Sequence, residues 1–200
     1  MTAERRAPEE PTDTELVLRG QLGDRAALGA LVARWHEPVH GLLRQLVLDD
    51  HAADDLTQEV WLEAMRSLAG LREPERLRPW LFTIARRRAV DRLRRRYRRP
   101  ERVEAPDELP EPPGVDAGDP AGAVVDRTYV TGLLGELEPD LRIAVALVHL
   151  QGCSVAEAAE IVGVPEGTVK SRLHRARRRL AAAAGEAPRA RVPSREESER

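Results

Sequence analysis

The chain has 200 residues, of which 33% are charged and only 3% aromatic, and its formal net charge is -2. A core must therefore be built from Leu, Val, Ile and Ala, which favours helical bundles, and there is room for one ordinary domain or two small ones. The single cysteine, Cys153, excludes an internal disulfide or cysteine-based zinc site within the chain, and no apolar run approaches bilayer length, so a soluble, cytoplasmic protein is expected.

The first elements are predicted from composition and capping residues. Residues 1–12 are rich in Glu and Pro, and we expect them to be disordered. Asp13 or Thr14 can cap a first helix that continues to Leu22. Gly23 can end this helix.

The second predicted helix contains a string that is formally a zinc-protease motif. Asp24 caps this helix, which continues to Val47 with a bend or restart at Pro38. The string from His36 to His40 reads HExxH, in which two histidines one turn apart can bind zinc. Because the proline opposes a regular helix and no companion motif supplies a third ligand, a zinc enzyme is the weaker alternative.

A third helix is predicted after a polar break at residues 49–51, with Asp54 or Asp55 as its cap. Its apolar stripe consists of Leu56, Val60, Ala64 and Leu68. Its opposite face is polar and partly acidic, with Asp55, Gln58, Glu59, Glu63 and Arg66. Such a face can accept a basic protein partner without disturbing the core, although an ordinary solvated helix surface is the alternative.

A fourth helix follows a predicted loop from Gly70 to Pro79. It is expected to begin at Trp80 and to end near Tyr97, because Pro100 cannot continue it. Its inward residues are Leu81, Ile84, Ala85, Ala89 and Leu93. Residues 13–99 are therefore predicted to form one small helical domain that ends in an arginine cluster.

Charge is segmented along the chain in a way that the net charge hides. Arginine dominates residues 86–99, whereas residues 100–126 are acidic and rich in proline. We expect the acidic segment to be a flexible linker, which would span roughly 80 Å if stretched at about 3.1 Å per residue. A second helical domain is predicted over residues 127–184 and a disordered tail over 185–200.

The second predicted domain ends in a helix-turn-helix pattern. Helices are expected at residues 130–137 and 139–150, followed by a short helix from Ser154. Ala159, Gly163 and Val169 supply the small residue, the turn and the apolar wedge that two steeply crossing helices need. The second helix of the pair begins near Pro165 or Glu166.

The second helix of the pair separates an apolar stripe from a basic face. The apolar stripe is Val169, Leu173, Ala176 and Leu180. In docked helix-turn-helix modules the start of this helix meets base edges and flanking cations meet phosphates. The residues expected nearest bases are Glu166, Thr168, Lys170, Ser171 and Arg172. Arg175, Arg178 and Arg179 are expected on the backbone, and a solvated basic helix in an ordinary bundle is the alternative.

Three motifs together resemble the extracytoplasmic-function (ECF) group of the bacterial sigma-70 family. They are D-D-L-T-Q-E-V-W-L from Asp54 to Leu62, the segment from Arg78 to Arg96, and E-G-T-V-K-S-R-L-H-R-A-R-R-R-L from Glu166 to Leu180. The resemblance covers sigma region 2 at about 14–99 and region 4 at about 127–184. The chain leaves no room for the region-3 domain of housekeeping sigma factors.

The resemblance implies an all-α fold of two small domains and a non-enzymatic role without a cofactor. The implied partners are RNA polymerase core, promoter DNA and, as is common in the family, an anti-sigma factor. Region 2 would dock on the largest polymerase subunit, and region 4 would dock on the second-largest subunit. The region-2 residues implied in core binding are Asp54, Asp55, Gln58 and Glu59.

The same resemblance assigns DNA contacts to both domains. Region 2 would capture the minus-ten element, and region 4 would read the minus-35 element. The residues implied at the minus-ten element are Trp80, Arg86, Arg87, Arg88, Arg92 and Arg95, with core packing the alternative for Trp80. Arg87 stands where the family usually has Asn. A stand-alone dimeric regulator is the remaining alternative, but this alternative assigns no function to the face around Asp55.

Overall fold

The computed structural model describes residues 10–98 and 127–183, and within these two ranges every regular element is helical. The predicted tails and linker lie almost wholly outside the described residues. We call residues 10–98 the first body and residues 127–183 the second body. The helices of the first body are α1 (Asp13–Gln21), α2 (Arg25–Val47), α3 (Asp50–Ser67) and α4 (Leu77–Arg98). Those of the second body are α5 (Arg127–Gly135), α6 (Pro139–Val145), α7 (Val155–Val162) and α8 (Glu166–Ala183).

The start of α1 corrects the predicted cap by one or two residues. Thr12, rather than Asp13 or Thr14, is the N-cap, because it forms a reciprocal capping box with Glu15. The Thr12 hydroxyl accepts from the Glu15 backbone N–H at 3.2 Å, and the Glu15 carboxylate accepts from the Thr12 N–H at 2.8 Å. The Thr12 N–H and the Thr12 hydroxyl both donate to this carboxylate and lower the pKa of Glu15.

Helix α2 runs through Pro38 as one continuous element, so the restart considered for this position does not occur. Proline removes a single backbone hydrogen bond from the helix. Leu31 and Val39, on either side of the proline region, are both buried and hold the two halves in the core. Tertiary packing therefore outweighs the local cost of proline.

Helix α3 begins earlier than predicted, since Asp49 is its N-cap and Asp54 and Asp55 lie inside it. Leu48 adopts a left-handed conformation, with φ of 56°, that ends α2 and reverses the chain. The Asp49 carboxylate then accepts from the Ala52 N–H at 3.0 Å. The predicted polar break is thus a tight turn with its own cap.

Helix α4 also begins earlier than predicted, at Leu77 instead of Trp80. Two short 3-10 turns, at Leu68–Gly70 and Pro74–Arg76, occupy much of the predicted loop. Pro79 fits inside α4 because the first turn of a helix needs no backbone donor there. Leu77 is only 4% exposed and anchors the start of α4 against α1 and α2.

In the second body, the helix predicted at residues 139–150 is split into two parts. Helix α6 ends at Val145, and a single π-helical turn covers Ala146–Leu150. The helix predicted to begin at residue 130 begins at Arg127. The small core of this body consists of Leu134, Leu137, Leu141, Val145 and Ala176.

The two bodies pack against each other and share a core, which the sequence did not predict. The main apolar cluster joins Leu46, Leu56 and Phe82 of the first body to Leu147 and Ile161 of the second. Helix α4 lies against α7, and α2 lies against α6 and the π-helical turn. None of the described helices combines the length and apolar character needed to span a membrane.

Polar contacts complete the interface between the bodies. Arg142 donates to the Leu46 carbonyl at 3.0 Å, and Gln151 donates to the Gln45 side chain at 3.2 Å. Arg78 donates to the Gln151 carbonyl. Ion pairs join Arg76 to Glu160 and Arg78 to Glu157.

Candidate nucleic-acid and protein interfaces

Helices α7 and α8 form the predicted helix-turn-helix. Ser154 caps α7 through a box with Glu157, whose pKa is lowered first by the Ser154 backbone N–H. Gly163 ends α7 in the left-handed region with φ of 74°. Ala159 and Val169 are 7% and 1% exposed where the two helices meet. The predicted roles of the small residue, the turn and the wedge are confirmed.

Helix α8 presents its basic face outward, as predicted from its spacing. It begins at Glu166, and Val169 and Ala176 are buried beneath it. Most of the predicted DNA residues are exposed: Glu166, Lys170, Ser171, Arg175 and Arg178. Thr168 and Arg172 are half-buried. This face can meet DNA grooves and phosphates.

Several charged side chains of α8 are engaged by acids of the protein itself. Arg172 is only 18% exposed, and its Nη2 lies 2.5 Å from the Asp140 carboxylate of α6. Arg175 lies 3.6 Å from Glu138, which precedes α6. The pairing of Arg172 with Asp140 depends on how α6 crosses α8, so it does not follow from the spacing of residues along α8.

The polar face of α3 lies opposite its buried stripe. Asp54, Asp55 and Gln58 are exposed and Glu59 is half-buried, so all four residues proposed for core binding reach one surface. Leu62, 58% exposed, adds an apolar patch to that surface.

One residue of the α3 surface, Asp54, contacts a histidine of the HExxH string. His40 lies 3.0 Å from the Asp54 carboxylate, and its ring is parallel to that of His36 at 6.3 Å. Within the two described ranges, no group of three or more His, Cys, Asp or Glu side chains could hold a metal ion.

The arginines implied at the minus-ten element lie in three environments. Arg92 and Arg95 are exposed. Arg87 and Arg88 form ion pairs with Glu63 of α3, and Arg88 also lies 3.4 Å from Glu59. The structure therefore brings part of the implied minus-ten set beside the implied core-binding face.

Arg86 differs from the other arginines because it lies toward the second body. It is half-buried, and burial lowers the pKa of its guanidinium, an effect that the charge of Asp140 opposes. Its Nε is buried without a hydrogen-bond partner among the described residues. Its contact with DNA stays a prediction.

The aromatic side chains near α4 pack in the core. Trp80 is partly buried against two apolar clusters, and Phe82 is 1% exposed. Trp35 meets Phe82 edge to face with ring centroids 6.0 Å apart. The structure shows Trp80 in packing contacts. Contact of Trp80 with DNA stays a prediction.

This arrangement, two helical bodies with a helix-turn-helix in the second, is that of a sigma-type transcription factor. Residues 31–99 match Sigma-70 region 2, and residues 127–180 match Sigma-70, region 4. The chain therefore belongs to the sigma-70 family and, within it, to the ECF RNA polymerase sigma factors, which direct transcription initiation.

Named relatives support the same assignment. The chain is 37% identical over 172 residues to the ECF RNA polymerase sigma factor SigM of Mycobacterium tuberculosis, covering 86% of this chain and 84% of SigM. It is 33% identical over 182 residues to the ECF RNA polymerase sigma-E factor of Escherichia coli K12, covering 84% and 92% of the two chains.

Solved structures of similar shape were obtained as complexes with a second protein. CnrH in complex with the cytosolic domain of CnrY has a TM-score of 0.66 and 26% identity, covering 88% of this chain and 99% of CnrH. The sigma factor RpoE with the anti-sigma factor NepR, from Bartonella quintana, has a TM-score of 0.64 and 26% identity, covering 80% and 98%.

Proposed function

We propose that this sigma factor uses three surfaces, of which the first two adjoin each other. The α3 face docks on RNA polymerase core, the arginines of α4 capture the minus-ten element, and α8 reads the minus-35 element. The observation that best supports the proposal is the helix-turn-helix of α7 and α8, which presents a polar, basic face on a buried apolar stripe. A helix of this kind fits the major groove of DNA.

The α3 face supports the docking part of the proposal. Its exposed carboxylates and the exposed Leu62 combine charge with apolar area, as protein interfaces do. The buried stripe on the other side of α3 keeps the helix in place while the face is occupied. Docking on a basic partner would not require repacking of the core.

Engagement of two promoter elements requires the bodies to separate. In the structure Arg172 pairs with Asp140, and the charge of Asp140 also acts on Arg86, so the two sets proposed to bind DNA lie close together. Separation would expose Arg86 and move α8 away from α4. We also propose that an anti-sigma factor binds the form in which the two bodies are in contact. CnrH and RpoE have similar folds, and both were solved in complexes.

The deciding experiment is transcription in vitro with purified core polymerase on a genomic library, read as start sites. We expect the chain to bind its promoters weakly alone and well with core, and to create new start sites with shared sequence elements. Core polymerase that initiates identically with and without the chain would overturn the proposal. Tight binding to a palindrome without polymerase would instead favour a dimeric regulator.

Charge reversal on α3 tests the docking surface. Asp55→Arg should weaken the affinity for core polymerase by about 1–3 kcal/mol, because a rim acid becomes a repulsive cation. Glu37→Arg, an equal change at an exposed position of α2, is the control and should bind core normally. Equal affinities of both variants in a titration of labelled chain with core would remove α3 from the docking surface.

A further inference from the structure

A single carboxylate of α3 holds two arginines of α4. Glu63 Oε2 accepts from Arg88 Nε at 2.8 Å and lies 2.6 Å from Arg88 Nη2, while Glu63 Oε1 pairs with Arg87. The Glu63 side chain is only 19% exposed, whereas Arg87 is 55% exposed. The carboxylate is therefore held in the groove between the helices, and the guanidinium groups extend from it toward solvent.

Glu59 completes the charge balance of this cluster. Its Oε2 lies 3.4 Å from Arg88 Nη1. Two carboxylates thus face two guanidinium groups, so the formal charge of the cluster is zero. Arg92 and Arg95, further along α4, are exposed, and within the described part of the chain neither forms an ion pair.

We propose that Glu63 is a positioning residue that acts as an internal counter-ion for Arg87 and Arg88 and thereby suppresses binding of the first body to non-specific DNA. The proposal rests on the proposed role of α4 in DNA capture and adds a residue outside the implied set. A DNA phosphate must compete with the Glu63 carboxylate for the same N–H groups. A strand with additional matched contacts compensates for that competition, and a random strand does not.

The salt dependence of DNA binding reports this competition directly. Each cation that neutralises a phosphate of single-stranded DNA adds about 0.7 to the slope of log affinity against log salt concentration. Arginines already neutralised by Glu63 contribute less than their full share. Release of both arginines therefore adds about 0.7 to 1.4 to the slope.

The test uses Glu63→Gln in the full chain and a labelled single-stranded oligonucleotide of non-promoter sequence, followed by fluorescence anisotropy over a series of NaCl concentrations. We expect about 3- to 10-fold tighter binding at low salt and the steeper slope given above. Glu63→Asp keeps the charge and should stay close to the wild-type slope. Addition of Arg88→Gln to Glu63→Gln should bring the slope back toward the wild-type value.

Glu37→Gln is the matched control, because it removes one negative charge from an exposed position of the same body. A general change in net charge would affect Glu37→Gln and Glu63→Gln equally, and equal slopes for the two variants would overturn the proposal. Should Glu63→Gln fail to fold, Arg88→Gln and Arg92→Gln decide the matter. Arg88→Gln is expected to reduce the wild-type slope less than Arg92→Gln does, and an equal or larger reduction contradicts the proposal.

The proposal and the proposed function can fail separately. The anisotropy measurement uses the free chain and random DNA, so its result does not depend on polymerase. A chain that shows the Glu63 effect but creates no start sites would reject only the proposed function. Normal start sites with unchanged slopes would reject only the role of Glu63.

Discussion

At the scale of single residues, some of the charged side chains expected to meet DNA already form ion pairs within the protein. Arg172 pairs with Asp140 at 2.5 Å, and Arg87 and Arg88 pair with Glu63. Asp140 and Arg87 are each more than half exposed, and solvent weakens the ion pairs that they form. These contacts hold the guanidinium groups in defined directions.

Substitutions of Arg172 and of Asp140 distinguish the loss of the arginine from the loss of its ion pair. Arg172→Ala should weaken binding of polymerase holoenzyme to its promoter by about 1–3 kcal/mol, because a base-reading arginine is lost. Asp140→Asn removes the partner but keeps the arginine, and it should bind the promoter at least as well as the wild type. Promoter titrations of both variants check this expectation. Wild-type affinity of Arg172→Ala would place the residue away from the bases.

At the scale of elements, the turn between α7 and α8 depends on one backbone conformation. The N–H groups of Gly163 and Val164 both donate to the Ala159 carbonyl, at 2.8 and 3.0 Å. This geometry needs the positive φ of Gly163, a region that residues with a Cβ adopt at a cost. No neighbouring atom lies within 4 Å of the place where a Cβ would stand. The cost is therefore conformational and not steric.

Two glycine substitutions should have opposite effects on stability. Gly163→Ala is expected to destabilise the protein by about 1 kcal/mol, because alanine is strained at that φ. Gly167→Ala, inside α8 and equally free of close neighbours, is expected to stabilise it by up to about 1 kcal/mol, because alanine favours helix. Thermal unfolding of both variants gives the comparison. Equal changes of the same sign would contradict the role assigned to the turn.

At the scale of the whole molecule, the contact between the bodies combines a shared apolar core with ion pairs. Arg76 lies between Glu73 of its own body and Glu160 of α7. The hydrogen bond to Glu160 is the main cause that raises the pKa of Arg76. Separation of the bodies, as proposed above, would therefore change the electrostatics of the chain as well as its buried area.

Charge reversal at this contact should shift the chain toward the separated form. Glu160→Arg places like charges together at α7, so we expect a larger radius of gyration in small-angle X-ray scattering. The double variant Arg76→Glu with Glu160→Arg restores opposite charges and should return the radius toward the wild-type value. A radius unchanged in both variants would show that the apolar core alone holds the bodies together.

Much of the fold could be predicted because its signals are local. The helix-turn-helix was located from residues spaced within one or two turns, and its small residue, glycine and wedge occupy the predicted places. The polar face of α3 followed from the same periodicity. The start of that helix was predicted wrongly, because Leu48 adopts a left-handed conformation that no local signal indicates for a leucine.

By itself, the sequence determined the helical class, the two sigma regions and the polar surfaces, because spacing along a helix decides which side chains share a face. Only the tertiary structure decided which acids pair with Arg87, Arg88 and Arg172, that Arg86 is half-buried, and that both bodies share one core. These features depend on how helices that are distant in the chain cross each other. Such crossings are set by the packing of many side chains together, and no short window of sequence contains that information.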